Sequence, residues 1–314
     1  MENFIFSVNA ALPVLLLILT GFALHRFGML SDDIVSALDK FSFNIAMPLL
    51  LFRDISAMDF YAEFHLSFVL FCFIVSILSF LIIWGLAVRF IPDRREAGSF
   101  AQGSVRGSIA ILGVTIVTNI YGSAGVAAIM IATAVPVYNI MSVFILTFCA
   151  SEGKISAARI KKALVGIITN PLIIGIAAGL PVALLRITLP TPIQSAVNSL
   201  GTTATPLALL VIGASFRFED ATARLKPAVV ATVIKLVLLP AAFLPIAVAL
   251  GFRDAPLTSI LLMLGTATAP ASYIMARNIG CDAPLSANIV LLTELFFSVT
   301  LTLWLFLLKS LALI

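Results

Sequence analysis

The chain has 314 residues, of which 61% are hydrophobic and 11% charged, with a formal net charge of +4 and a mean hydropathy of +1.16. A soluble domain runs nearer half apolar and a quarter charged, so the solvent for so much apolar surface is expected to be lipid. Apolar stretches take up nearly the whole length, leaving no room for a nucleotide-binding module; no Gly-x4-Gly-Lys-Ser/Thr phosphate loop occurs, which argues against an ATP-driven pump.

A spanning helix needs roughly 20 mostly apolar residues. In chain order, such spans are predicted at about 5–25, 34–52, 65–89, 98–119, 123–149, 163–184, 192–214, 227–250, 256–277 and 285–309. The first begins almost at Met1, with Glu2 and no basic stretch before it, and reads as a retained span rather than a cleaved signal peptide. Span 2 is the weakest, because only 41–52 is free of charge and Asp39 and Lys40 lie near its start; 66–88, 163–185 and 255–276 hold no charge at all. His25 and His65 are isolated at span edges. Cys72, Cys149 and Cys281 sit in or beside apolar runs with no CxxC spacing. Neither residue type implies a metal, a disulfide or a cofactor.

Basic residues are unevenly placed between the spans. Connections after odd-numbered spans hold twelve: Arg26, Arg89, Arg94, Arg95, Lys154, Arg159, Lys161, Lys162, Arg217, Arg224, Lys226 and Arg277. Connections after even-numbered spans, with the C-terminus, hold four: Arg53, Arg186, Arg253 and Lys309. Basic loops stay in the cytoplasm. Both termini are therefore expected outside. One missed or extra span would scramble the asymmetry.

An offset of 158 residues brings Pro13 onto Pro171, Gly21 onto Gly179, Ala46 onto Ala204 and Pro48 onto Pro206. Coincidence is the alternative, since prolines are common in membrane helices. Five spans per half is an odd number, so the second half would enter the membrane inverted. The expected fold is an all-α integral membrane protein of ten transmembrane helices in two inverted five-helix repeats, residues 1–150 and 163–314, with a cytoplasmic linker at 151–162. Inverted repeats mark transporters, with the site near the midplane.

Spans 4 and 9 are poor material for continuous helices. Span 4 carries Gly103, Arg106, Gly107 and Ser108, with Gly113 following. Span 9 carries Gly265, Ala269, Pro270, Ser272 and Tyr273, and Pro270 suits the first turn of a new half-helix. Unwound backbone at membrane depth survives only where it is buried in protein or lines a cavity. Two half-helix N-termini meeting there would offer N–H groups to an anion; alternatively, the small residues only let helices pack closely. On the first reading, Arg106, Gly107, Ser108, Asn139, Ala269, Pro270 and Ser272 contact substrate, and Gly103, Gly113, Pro48 and Pro206 are breaks or hinges.

Arg106 could bind a carboxylate in bidentate fashion or snorkel to the cytoplasmic surface. Lys235, about two turns into span 8, is expected to snorkel. Glu294, near the middle of span 10, is too deep for that. A carboxyl there is costly to ionise and could carry a coupling proton, or be paired structurally with a cation or hydroxyl. Asn44 and Asn170 precede Pro48 and Pro171 and are expected to satisfy backbone groups that the prolines free.

At these residues the chain resembles the bacterial branch of the auxin efflux carrier family, over nearly its whole length. The resemblance is carried by Phe43-Asn-Ile-Ala-Met-Pro-Leu-Leu-Leu-Phe52, Arg106-Gly-Ser with Gly113, Asn170-Pro171, Thr205-Pro-Leu-Ala-Leu-Leu-Val-Ile-Gly213 and Pro270-Ala-Ser-Tyr-Ile-Met-Ala-Arg277 with Gly280 and Asp282. It implies two inverted five-helix repeats with crossing, broken spans 4 and 9. It also implies a scaffold of spans 1, 2, 6 and 7, a transport domain of spans 3–5 and 8–10, elevator-type movement and a homodimer. Substrates in the family are small organic anions: an indole carboxylate in plants, malonate, malate or similar acids in bacteria. The resemblance further implies a bacterial inner membrane with periplasmic termini. The chain departs from the family at Ser108, where Asn is frequent, and at Val114-Thr115, where a proline frequently follows the glycine. Those departures leave the substrate open.

Other classes fit less well. A sodium-coupled bile-acid-like symporter shares the architecture and would show a sodium requirement. A cation/proton exchanger wants midplane aspartates, and the spans offer only Glu294. An intramembrane enzyme needs a metal cluster, paired aspartates or a Ser/His arrangement at depth, and the sequence offers none. A non-transporting receptor would bind without translocation. Expected partners are thus a small organic anion, membrane lipid, a coupling proton or sodium, and a second copy, with no nucleic acid.

Overall fold

The computed structural model describes residues 2–57, 65–109, 116–117, 120–121, 125–150, 165–166, 168–216 and 222–314. Among them the chain is all-helical, without strands. In order the helices are α1 (Glu2–Arg26), α2 (Asp32–Phe41), α3 (Met47–Ser56), α4 (Leu66–Phe90), α5 (Arg94–Val105), α6 (Gly125–Ala150), α7 (Pro171–Leu184), α8 (Thr191–Thr202), α9 (Ala204–Ala214), α10 (Leu225–Val233), α11 (Leu239–Ala249), α12 (Asp254–Gly265), α13 (Ala271–Ile279) and α14 (Ala283–Ser310). Among the described residues, six stretches are long and apolar enough to cross a membrane: Asp32–Ser56, Leu66–Phe90, Val126–Ala150, Thr191–Ala214, Leu225–Ala249 and Ala283–Ser310. The chain is a multi-pass membrane protein. The segment 151–162 and Gly113 lie outside the described residues.

α4 is built for lipid on one side and protein on the other, whereas α5 and α12 are buried all round. On α4, Leu70, Phe73, Ile74, Leu78, Leu81 and Ile82 are exposed, while Phe71, Cys72, Ser76, Ser79, Phe80 and Ile83 are buried. Ser76 and Ser79 of α4 face inward, because lipid cannot hydrogen-bond them. Local chemistry sets the helix ends. Ser31 caps α2, accepting the Ile34 N–H, with Asp32 and Asp33 at the positive end of the dipole and Lys40 at the negative end. Asn170 caps α7: its Oδ1 accepts the Leu172 N–H at 2.9 Å while Pro171 takes the first turn.

Two turns are π-helical, Ser42–Ala46 between α2 and α3 and Ile234–Leu238 between α10 and α11. Each precedes a proline in the first turn of the next helix, Pro48 and Pro240. Proline brings no N–H and its ring crowds the carbonyl four residues back, so the register slips there. Asn44 Nδ2 donates to the Lys40 carbonyl at 2.9 Å beside the first slip. Pro206 lies in the first turn of α9, and α8 and α9 are separated at Thr203.

The buried apolar residues form two cores. One joins α4, α5, α6, α10, α11, α12 and α14. The other joins α1, α2, α3, α7 and α9, and takes in Val143 and Leu146 of α6, Tyr273–Ala276 of α13, and Ala287 and Val290 of α14. Within the second core, backbones meet directly. A Cβ on Gly21 would strike the Leu210 carbonyl and one on Gly213 the Ile18 carbonyl, where α1 crosses α9. Gly175 and Gly179 meet Pro48 and Phe52 in the same way where α7 crosses α3. Small residues permit this approach, and packing then supplies the attraction that lipid does not.

Candidate functional site

α5 ends at Val105, and the next residue turns extended, with Arg106 at φ −69° and ψ 110°. α12 ends at Gly265, and Thr266 is likewise extended, at φ −74° and ψ 156°. The two unwound stretches meet. Gly107 faces Thr268 in an antiparallel bridge. The Ser108 N–H donates to the Ala267 carbonyl at 2.8 Å, and the Ala269 N–H donates to the Arg106 carbonyl at 3.4 Å. Pro270 then caps α13, with Ser272 buried in its first turn. Gly107 is needed for this approach, because a Cβ there would strike Thr266 Oγ1 and lie 3.1 Å from Lys235 Nζ.

A helix that stops leaves its last carbonyls without partners. Here side chains supply many of the missing donors. Thr268 Oγ1 donates to the Gly103 carbonyl at 2.8 Å, and Lys235 Nζ donates to the Val105 carbonyl at 2.7 Å. At the end of α12, the Tyr138 hydroxyl donates to the Met263 carbonyl at 2.8 Å. The Thr268 N–H donates to Thr293 Oγ1 at 2.9 Å.

Arg106 is 6% exposed and does not snorkel. Its Nη2 donates to Asn139 Oδ1 at 2.8 Å, and its Nη1 is directed at Met275 Sδ. Asn139 is oriented in turn by donating Nδ2 to the Val135 carbonyl at 2.8 Å. Lys235, expected to snorkel, is instead fully buried. The π-helical turn carries its Cα and the Val105 carbonyl draws its ammonium inward, so the stem never runs to the surface. Among the described residues, no carboxylate pairs with either cation. Around them Gln102 Oε1, Thr266 Oγ1, Ser272 Oγ and Ser142 Oγ are buried with no described partner.

The crossover thus assembles Arg106, Gly107, Ser108, Ala269, Pro270 and Ser272, and Asn139 joins them through Arg106. Gly103 is not at the break: it is helical within α5, packed against Ile289, and the interruption begins at Arg106. Pro48 and Pro206 border irregular turns in the second core instead. Glu294 is 3% exposed on α14, next to Thr293, and has no hydrogen-bond or ion-pair partner among the described residues. Sequence reasoning passed over Gln102, Thr266, Thr268, Met275 and Thr293. The threonines of Gly265-Thr-Ala-Thr-Ala-Pro270 were legible as polar residues in an apolar run. Nothing in the sequence separates Met275 or Thr293 from ordinary packing.

α13 also ties this crossover to the second core. Arg277 Nε lies 3.3 Å from Asp39 Oδ2, and Arg277 Nη1 donates to Ser215 Oγ and to the Tyr273 hydroxyl, each at 2.8 Å. Asn278 Nδ2 donates to Asp39 Oδ1 at 3.1 Å.

The sequence model of one protein family, described as "Membrane transport protein", matches residues 6–305. No curated protein matches the chain.

Proposed function

The chain belongs to the auxin efflux carrier family of membrane transport proteins, and from that premise we propose that it is a carrier, not an enzyme, for a small organic anion that binds at the crossover. The carrying observation is Arg106: a buried guanidinium whose described partners, Asn139 and Met275, are both neutral. A buried cation without a counter-charge is costly. A carboxylate arriving between the unwound stretches would offset that cost and could be gripped by two parallel N–H donors. The Ser272 and Thr266 hydroxyls, which have no described partner, can donate to it. A small dicarboxylate such as malonate or malate, or an auxin-like monocarboxylate, is the substrate class.

Several features support the wider reading. The spans Asp32–Ser56 and Thr191–Ala214 end 158 residues apart, and α6 and α14 begin 158 residues apart, the offset found between Pro48 and Pro206. This favours ten helices in two inverted repeats. The two apolar cores favour a scaffold built on α1–α3, α7 and α9 and a transport domain built on α4–α6, α10–α12 and α14, the second moving against the first as an elevator; α8 joins the first and α13 the second by the resemblance, although Tyr273–Ala276 of α13 pack in the scaffold's core. A homodimer through the scaffold, a bacterial inner membrane and periplasmic termini complete the proposal. Glu294, buried without a described partner, is the candidate for a coupling proton.

The test is uptake of radiolabelled malonate, malate and indole acetate by proteoliposomes. Saturable flux of one of them is expected, reduced about tenfold or more by Arg106→Ala, as for loss of a charge-assisted contact, and reduced by Ser108→Ala. Wild-type flux in both variants would overturn the site. Transport that ignores pH and survives Glu294→Gln would remove the proton role.

A further inference from the structure

The geometry points to Gln102 as a second donor to the anion and to Met275 as the side chain that holds the anion's place while the carrier is empty. This rests on the reading of the crossover as an anion site. Arg106 Nη1 is directed at Met275 Sδ, and Gln102 Nε2, one turn earlier on α5, donates to the same sulfur at 3.5 Å. Two buried donors, one of them charged, thus converge on one atom. That atom is a thioether, a weak acceptor, in a place where a guanidinium is better served by a carboxylate.

Three further observations point the same way. Gln102 and Met275 are both fully buried, and Gln102 Oε1 has no described partner, so among the described residues the sulfur is what holds the carboxamide. A carboxylate oxygen in the sulfur's place would accept from Arg106 and Gln102 together, and charge-assisted bonds are roughly twice as strong as neutral ones. Met275 is also suited to giving way. Its side chain is unbranched and flexible, and it can leave by bond rotation while the backbone of α13 stays put. Meanwhile Asn139 still accepts from Arg106 Nη2, so the guanidinium keeps its orientation while Nη1 changes partner. A neutral sulfur gives the donors something to hold and leaves the positive charge of Arg106 uncancelled. An acidic side chain at this position would cancel it and close the site.

The experiment uses the detergent-purified full chain with malonate, malate and indole acetate as probes, and has two arms. The first follows melting, by fluorescence of Trp84 and Trp304, against acid concentration. Met275→Leu keeps the bulk and removes the acceptor. It is expected to melt lower than wild type when empty and to bind the preferred acid several-fold more tightly. Met275→Gln supplies a stronger acceptor and is expected to bind it several-fold more weakly, as is Gln102→Leu, which lacks the second donor. A packing role alone would lower stability without moving affinity in opposite directions. The second arm records the methionine methyl signals of protein labelled there with carbon-13. The Met275 signal, assigned by its absence from Met275→Leu, is expected to shift in wild type at saturating acid. A Met275 signal that stays still at saturation overturns the inference, as does a Met275→Leu protein that binds no tighter than wild type. If Met275→Leu does not fold, Met275→Gln supplies the assignment and the methyl signal decides. Acid binding that survives Arg106→Ala unchanged counts against the site itself. Binding lost in Arg106→Ala with a still Met275 signal counts against the place-holding role alone. An acid that binds Met275→Leu but not wild type supports that role, and binding to neither overturns both readings.

Discussion

Arg106 and Asn139 form the pair on which the anion reading turns. Asn139 accepts from a buried guanidinium, and a bond of that kind contributes about 1.5–3 kcal/mol. Asn139→Ala is expected to lower thermal stability by about that amount. Asn139→Asp is the sharper test. It gives Arg106 a carboxylate of its own, so the protein should stay folded while carboxylate transport is lost; transport at the wild-type rate would count against an anion at this place. Gly107 offers a second test. Gly107→Ala would drive a methyl group into Thr266 Oγ1 and against Lys235, and overpacking of this kind costs about 1–3 kcal/mol. Adding Thr266→Ala removes the struck atom and should recover part of the loss, read as a positive coupling in a double-mutant cycle.

Among the elements, the crossings of α1 with α9 and of α3 with α7 depend on glycine at the contact. Gly213→Ala puts a Cβ into the Ile18 carbonyl, and backbone cannot yield as a side chain can. A loss of about 1–3 kcal/mol is expected, seen as earlier melting or lower yield in membranes. Gly85 on α4 is the control. Nothing lies within 4 Å of a Cβ there, so Gly85→Ala should be neutral or stabilising by roughly 0.5–1 kcal/mol through helix propensity. The broken helices follow a different logic. Their ends survive at depth because Thr268, Lys235 and Tyr138 serve orphaned carbonyls, so each interruption is a contact among several elements and no property of one helix.

For the whole molecule, the relation between the two cores is decisive. α13 carries Met275 under Arg106 and, two residues on, Arg277 against Asp39 of α2. In the proposed elevator, α13 travels with the crossover and leaves α2 behind, which would break that tie. Asp39→Asn keeps the shape and removes the charge. It should cost about 1–3 kcal/mol and change the maximal transport rate while leaving KM near wild type. A changed KM with an unchanged maximal rate would place Asp39 in substrate binding instead. Membrane orientation has its own check: a cysteine at Ser310 should react with an impermeant thiol reagent from outside the cell.

The sequence alone determined that the protein is a multi-pass membrane protein, where most of its described helices run, and that the apolar segments holding Gly107 and Pro270 break; the predicted span at 163–184 differs, because Asn170 and Pro171 start a new helix inside it. Those features are local: hydropathy, glycine and proline act over one or two turns, and a bilayer forces every backbone group to be satisfied nearby. Tertiary structure alone decided what the buried charges do. Arg106 and Lys235 are each about two turns into an apolar run, and the sequence could not tell a side chain that reaches out from one that turns in. The difference lies in what faces them: an asparagine on α6 for one, the orphaned carbonyl of Val105 for the other. Thr268 and Thr293 entered the site for the same reason. A partner more than twenty residues away leaves no periodicity to read, and only folding brings the donor to the orphaned group.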